Sequence, residues 1–436
     1  MKLNKWTLGL AAVGVVSLAS AARADEKMNS LQTALSNTTI SGYVSASFNW
    51  AITPGDYQDS PAGYIPFQGV TKENGFNLDV VKLSIAKPQD ESPWASGYQI
   101  DLLFGPDAVN YNPSANGNRY YYDYYGYGGQ DFAIKQAYVS LRTPIGNGID
   151  WKVGVFDTII GYEVFDAGSN PNYTRSWGYW VEPTEHTGVL GTYKINDEWS
   201  VSAGIANTSM AGINLRAWDY KSPGTTYYTR DWNKTFMGSV TFTAPSNWGW
   251  AAGSSFYAGI VYGFNGSGGN WGNTGYYANG DQVNYYAGAT LNTPWKQLTA
   301  GVALDYVHNL GGGGTAGFDR WWNDDAVLGL YATYKATDKL SFNGRAEYIH
   351  GQFYEDVGNT HNGYSSEAFE VTGTMEYDLW ANVISRLELR WDRFGSFTTP
   401  QAIEGYRLYT GDGFNSPNSV ENKYSVGLYA NVIYKF

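Results

Sequence analysis

The residues best suited to chemistry in this chain are charged side chains at alternate positions of extended stretches. Arg386, Glu388, Arg390 and Asp392 alternate with Leu387, Leu389 and Trp391. Arg345 and Glu347 stand opposite Ala346 and Tyr348, and Glu370 and Glu376 stand opposite Val371, Met375 and Tyr377. Successive side chains of a strand point to opposite faces, so each stretch gathers charge on one face and apolar surface on the other. A second, mostly acidic group lies in the stretch at 158–183: Glu163 and Asp166, with Arg175 inside it and Glu182 and Glu185 at its end. Carboxylates facing guanidinium groups across water orient that water, penalise apolar solutes and leave a path for small polar ones. The expectation is that Glu163, Asp166 and Arg175 face Arg345, Arg386, Glu388 and Arg390 across a narrow aqueous gap. Arg142 and Lys435 could join the basic side. Local pairing that merely holds a wall together is an equal alternative, because structural ion-pair networks look the same in sequence.

Other chemistries are poorly supplied. There is no Cys, hence no disulfide or thiolate metal site, and the four His are scattered. His186 with Ser176 or Ser209 would suggest a hydrolase, but there is no nucleophile elbow and no second motif, so no catalytic residue is assigned. Asp324 and Asp325 beside Trp321 and Trp322 could hold a divalent cation; a solvated polar loop explains them better. No metal or cofactor is expected. The net charge of −12 argues against a nucleic-acid partner.

The elements that position these charges are strands. In 422–436 every second residue is apolar or aromatic: Tyr424, Val426, Leu428, Ala430, Val432, Tyr434 and Phe436. The intervening residues are mostly small or polar, and aromatics end the apolar stripe. That is the pattern of a transmembrane barrel strand, apolar outward and polar inward. Ile40, Val44, Ala46, Phe48 and Trp50 repeat it. Further strands are expected at about 76–87, 96–105, 131–143, 150–157, 184–195, 199–207, 233–243, 250–264, 282–293, 297–309, 326–336, 339–351, 366–379 and 382–394. With the two terminal strands this makes an all-β antiparallel barrel of about sixteen, an even number as single-chain bacterial barrels require. Ionised side chains facing lipid are costly, so the charged faces belong in the lumen.

Connections alternate between short and long. Short ones, such as 143–150, 196–198 and 293–296, suit periplasmic turns; long ones at 51–75, 106–130, 158–183, 208–232, 265–281, 310–325, 352–365 and 395–421 suit the outer side. Trp94, Trp151, Trp199, Trp248, Trp295 and Trp380 lie within or beside short turns and read as one aromatic girdle in outer-membrane lipid. Tyr434 and Phe436 read as the C-terminal signal taken by the barrel-assembly machinery. The aromatic tract at 120–127, and Trp177 and Trp180, could stack on sugars.

The first 24 residues read as a secretory signal: Lys2 and Lys5, an apolar run at 8–18, and Ala22-Arg23-Ala24. Removing Lys2, Lys5 and Arg23 takes the net charge from −12 to −15. No later run is long and apolar enough for a transmembrane helix. Residues 25–37 read as a short periplasmic leader, and 38–436 as the barrel in a bacterial outer membrane.

The long connection at 158–183 differs from its siblings. Ile159, Ile160, Val164 and Phe165 are not residues that a water-facing loop needs. They suggest a third loop folded against the inner wall, narrowing the channel that a sixteen-stranded barrel leaves open. Gly161-Tyr162-Glu163, the run Asn170 to Ser176, Pro183 and His186-Thr187-Gly188, preceded by Gln136-Ala137-Tyr138-Val139, resemble the OmpL-like family of β-barrel porins (porin-2 type). Thr174 stands where that family usually has Ser, which keeps the hydroxyl. The resemblance implies a porin passing small hydrophilic solutes and ions by diffusion, not an enzyme. By analogy with general diffusion porins it also implies a homotrimer. Two alternatives stay open: a substrate-selective channel, for instance for sugars, and a closed structural, adhesive or enzymatic barrel. A TonB-type transporter would need a larger barrel and an N-terminal plug.

Overall fold

The computed structural model describes residues 37–52, 72, 74–111, 132–209, 213, 218–220, 227–229, 232–264, 280–311, 320–357, 360–394 and 424–436. The expected signal peptide, most of the leader and the tyrosine tract at 120–127 lie outside them.

Strands β1 (Thr39–Ala51), β2 (Gly75–Lys87), β3 (Ser96–Phe104), β4 (Phe132–Thr143), β5 (Ile149–Asp157), β6 (Glu185–Lys194) and β7 (Trp199–Ala206) open the chain. A small hairpin, β8 (Trp218–Tyr220) and β9 (Tyr227–Thr229), stands apart from the main sheet. Then follow β10 (Thr235–Thr243), β11 (Ser255–Phe264), β12 (Gly280–Asn292), β13 (Leu298–Gly311), β14 (Arg320–Lys335), β15 (Leu340–Val357), β16 (Thr360–Trp380), β17 (Val383–Phe394) and β18 (Tyr424–Lys435). Without the hairpin these make a closed barrel of sixteen antiparallel strands. β18 closes on β1 with Tyr43 opposite Lys435 and Ala51 opposite Gly427. Closure leaves no strand edge unpaired, which a lipid environment demands.

The period-two pattern becomes two different surfaces. On β17 Leu387, Leu389 and, at the strand's end, Arg393 are exposed, while Arg386, Glu388, Arg390 and Asp392 are buried on the inner face. On β18 Val432 and Tyr434 are exposed outward, and Tyr429, Asn431 and Ile433 are buried inward. A register shift where β1 pairs with β2 at Ser45/Ala46 turns Asp79 and Val80 inward together. Ser45 and Ser47 each donate to the Asp79 carboxylate at 2.7 Å.

Three expectations need correction. The strand expected from residue 250 begins at Ser255, because Ser246–Ala251 is a 3-10 turn with Gly249 at φ 62°. Within the stretches expected as connections, residues 310–311, 320–325, 352–357 and 360–365 are strand: β14 begins at Arg320, β15 ends at Val357 and β16 begins at Thr360. The sequence of these ends lacks a period-two apolar pattern and so carries no strand signal. Asp324 and Asp325 point to opposite faces; Asp324 bonds Tyr306 and His308 while Asp325 is buried inside, so they do not share a cation. Among the described residues, two α-helices occur in connections: α1 (Pro106–Tyr111) and α2 (Trp177–Val181).

Among the girdle tryptophans, Trp94, Trp199, Trp248, Trp295 and Trp380 are exposed beside short turns. Trp151 is half-buried, its Nε1 donating to Thr143 Oγ1 at 3.0 Å.

Candidate functional site

The connection from β5 to β6 lies against the inward side chains of the wall. Its two ends are tied together: Thr158 N donates to Thr184 O at 3.1 Å, and Thr158 Oγ1 lies 3.1 Å from His186 Nε2. That contact, together with full burial, accounts for His186. Ser176 caps α2 instead, accepting from Tyr179 N at 2.9 Å.

The apolar residues of the segment belong to separate clusters on the inner wall. Ile160 packs with Phe156, Leu190, Val261 and Tyr286. Phe165 and Ala167 pack with Tyr43, Val80, Leu103 and Ile433. Trp177 and Val181 pack with Val307, Val327 and Ile349. Tyr162 stacks on Tyr331 with ring centroids 4.1 Å apart. Burial of this kind stabilises by roughly 1.5–3 kcal/mol per large side chain, which explains why Ile160 and Phe165, with Ile159 packed against the first cluster, occur in a loop.

The charges are joined where a gap was expected. Arg345 Nη1 lies 2.8 Å from Glu163 Oε1, and both side chains are 0% exposed. The same guanidinium reaches Glu370 at 3.2 Å and donates to Thr174 O at 2.7 Å. Arg390 donates to Arg175 O at 2.6 Å and to Asp392 at 2.8 Å. Arg386 donates to Ala167 O at 2.7 Å, to Asn170 O at 2.8 Å and to Glu376 at 2.6 Å. Arg175 holds the segment's own turn, donating to Tyr173 O at 2.8 Å and to Phe165 O. Glu163, Arg175, Arg345, Arg386, Glu388 and Arg390 are thus brought together as one contact network. A separation across water would leave their charges hydrated; here each buried charge has a partner, as a buried charge must.

Two wall carboxylates grip the backbone of the segment. Glu388 accepts from Tyr173 N at 2.6 Å and from Thr174 N at 2.9 Å, and also from Thr374 Oγ1 at 2.6 Å. Glu347 accepts from Trp177 N at 2.8 Å and from Gly178 N at 3.2 Å. Charge-assisted bonds of this type are about twice as strong as neutral ones.

Asp166 stands apart from Glu163. Its carboxylate pairs with Lys82 Nζ at 2.7 Å and accepts from Tyr43 OH at 3.3 Å, with 31% of the side chain still exposed. Burial alone would raise its pKa, but Lys82 and then Lys135 outweigh it and hold the carboxyl at about 2. Lys435 donates to Gly168 O at 3.2 Å. Arg142 pairs with Asp150 near the 143–150 turn, away from this network. Trp177 is fully buried, with its Nε1 donating to Asp392 at 3.2 Å and Arg390 over its ring at 5.4 Å. It has no face left for a passing solute; Trp180 is only half-buried.

Sequence reasoning missed Lys82, Asp79 and the backbone grip. Lys82 was legible, since it lies on the polar parity of β2 between Val81 and Leu83. Asp79 was not, because the register shift reverses parity there.

A profile for the family described as "Putative beta-barrel porin-2, OmpL-like" matches residues 37–424. No curated protein matches the sequence closely enough to be counted a relative. Among solved structures, the anion-selective porin of Comamonas acidovorans is 12% identical with a TM-score of 0.50, over 92% of this chain and 99% of that one. The outer membrane channel DcaP of Acinetobacter baumannii is also 12% identical, with a TM-score of 0.49 over 92% and 97%. An OmpT loop-deletion mutant, an outer membrane protein of Vibrio cholerae, gives 12% and 0.49 over 92% and 99%.

Proposed function

Because the chain belongs to the OmpL-like β-barrel porin-2 family, we propose that it is an outer-membrane channel through which small hydrophilic solutes and ions diffuse passively. The observation that carries this reading is the closed barrel with an apolar exterior and a polar interior against which one ordered segment is fastened. In the proposal, segment 158–184 narrows the lumen. Glu163, Arg175, Arg345, Arg386, Glu388 and Arg390 keep it in place rather than facing the solute. The partly exposed charges, Asp166 and Lys435 among them, meet ions in transit. The family and the barrel favour a channel over an enzyme. The accompanying assembly would be a homotrimer in outer-membrane lipid, inserted by machinery that takes hold of the strand ending in Tyr434 and Phe436.

The test is reconstitution of the folded protein in a planar bilayer, with conductance and reversal potential recorded in a salt gradient. Stable ohmic steps are the expected result. Silence from folded, heat-modifiable protein would refute the channel. Saturable block by a sugar would move the reading to a selective channel, in which Trp180 rather than Trp177 has an accessible ring.

A further inference from the structure

The wall that segment 158–184 covers and the wall it leaves bare differ in chemistry. On β15 to β17 the inward charges lie buried under the segment and are paired. On β4 to β10, toward the short turns, the inward residues include the small hydroxyls Ser140, Thr192, Ser202, Ser239 and Thr241, all half-buried. Thr192 and Ser202 bond each other between β6 and β7 at 2.9 Å. The solvent-facing part of the lumen is therefore on this side.

Lys152 of β5 stands among these uncharged groups. It lies opposite Ser140 in the ladder. Val153 next to it, and Val139 and Leu141 on β4, are exposed on the outer face. Alternation along the strand thus sends the Lys152 side chain into the lumen, where it is half-buried. The neighbouring inward lysines are neutralised at contact. Lys82 pairs with Asp166 at 2.7 Å and with Asp101 at 3.2 Å, and Lys135 pairs with Asp157. Lys152 differs: among the described residues it has no carboxylate at ion-pair distance, and its Nζ lies over the Tyr138 ring, 4.9 Å from the centroid. Gly154, directly across from Tyr138, has φ 134° and no side chain to cover that ring. An aromatic face attracts a cation but carries no net charge, so the ammonium keeps its own charge beside the water.

We propose that Lys152 sets the ion selectivity of the lumen, drawing small anions such as chloride, carboxylates and phosphate along this wall and repelling cations. The assignment rests on the channel reading above. Asp101, Asp157 and Asp166 oppose it weakly, because Lys82 and Lys135 meet them at contact. In water a unit charge changes the occupancy of an ion about 6 Å away by roughly threefold, up for an anion and down for a cation. The anion-to-cation permeability ratio therefore depends on Lys152 by up to about tenfold.

The test uses the folded full chain in a planar bilayer. Reversal potentials are recorded in a potassium chloride gradient for the wild type, Lys152→Gln, Lys152→Arg and Lys152→Glu, each shown to be folded by heat-modifiability. Lys152→Gln is expected to lower the chloride-to-potassium permeability ratio severalfold, by at most about tenfold. Lys152→Arg, which keeps the charge, should keep the ratio, and Lys152→Glu should lower it further. The differences should shrink in about 1 M salt, where the Debye length is about 3 Å. A lysine that only packs against Tyr138 predicts ohmic steps with one reversal potential in all four proteins. That result would overturn the assignment and leave the channel standing. A barrel that does not fold once the Lys152 charge is removed would also overturn it, since the lysine would then be holding the wall. Folded wild type that conducts nothing would overturn the channel, and this assignment with it.

Discussion

Arg345→Met removes the guanidinium that ties the segment to β15 while keeping a long side chain over the same wall. The partners affected include Glu163, Glu370, Glu347 and the carbonyls of Thr174 and Arg175. Breaking a buried ion pair by deleting one partner costs roughly 3–5 kcal/mol. The lower end applies here, because Glu163 keeps the Ser176 N–H at 2.9 Å and Glu370 keeps the Thr372 hydroxyl. About 3 kcal/mol is roughly a hundredfold in the equilibrium between fastened and released segment. Hydrogen–deuterium exchange on the folded barrel reads this directly. The amides of Tyr173, Thr174, Ser176, Trp177 and Gly178, which bond Glu388, Glu163 and Glu347, should exchange roughly a hundredfold faster, since local opening sets their protection. Amides between β17 and β18 should not change. Unchanged exchange at residues 173–178 would refute the anchoring role. Uniform acceleration around the barrel would refute the separation of segment from wall.

Other expectations follow from neighbouring contacts. Gly161→Ala forces a Cβ into the Glu182 carboxyl group at φ 111° and should destabilise the segment by about 1–3 kcal/mol, seen as faster exchange at 160–163 with the barrel intact. The Asp166 pKa is held at about 2, so its contribution is complete above the unfolded value near 4 and is lost as pH falls through about 2; acid release of 165–168 should shift upward when Lys82→Met removes the main partner. Phe436 seals the seam, its N–H donating to Gly42 O at 3.0 Å and its O accepting from Gly42 N at 2.9 Å. Deleting it should lower the yield of closed barrel in a gel-shift refolding assay.

Much of the barrel was legible because a half-buried strand writes its period into the sequence. The alternation of 384–394 and 424–436 assigned the right residues to each face, and Arg345, Arg386, Glu388 and Arg390 do turn inward. Legibility failed where that period was absent or interrupted: along the polar extensions to Arg320, Val357 and Thr360, and at the shift beside Asp79. Within 158–183 the apolar residues announced packing. The recognition of Glu388 and Glu347 by main-chain amides left no signal, because every non-proline residue carries the same N–H.

That hidden contribution changes what the wall arginines are expected to do. Opposed walls of charge would require Arg386 and Arg390 to present their fields to passing ions, so neutralising them would change the sign or size of the reversal potential. Yet Arg390 is 0% exposed and closes on Asp392 and a segment carbonyl, and Arg386 closes on Glu376 and two more carbonyls. A charge neutralised at contact distance has little field beyond its partner, whereas one left at a water-filled face acts over about a Debye length, near 10 Å in ordinary salt. Arg390→Met should therefore loosen the segment, raising conductance fluctuations with little effect on reversal potential. Lys435→Gln, at an exposed ammonium, should shift the reversal potential toward cation preference without that noise. If Arg390→Met moved the reversal potential as a quiet, stable channel and Lys435→Gln left it unchanged, the arginines would be field-setting groups after all, and the contacts drawn here for the segment would be wrong in kind.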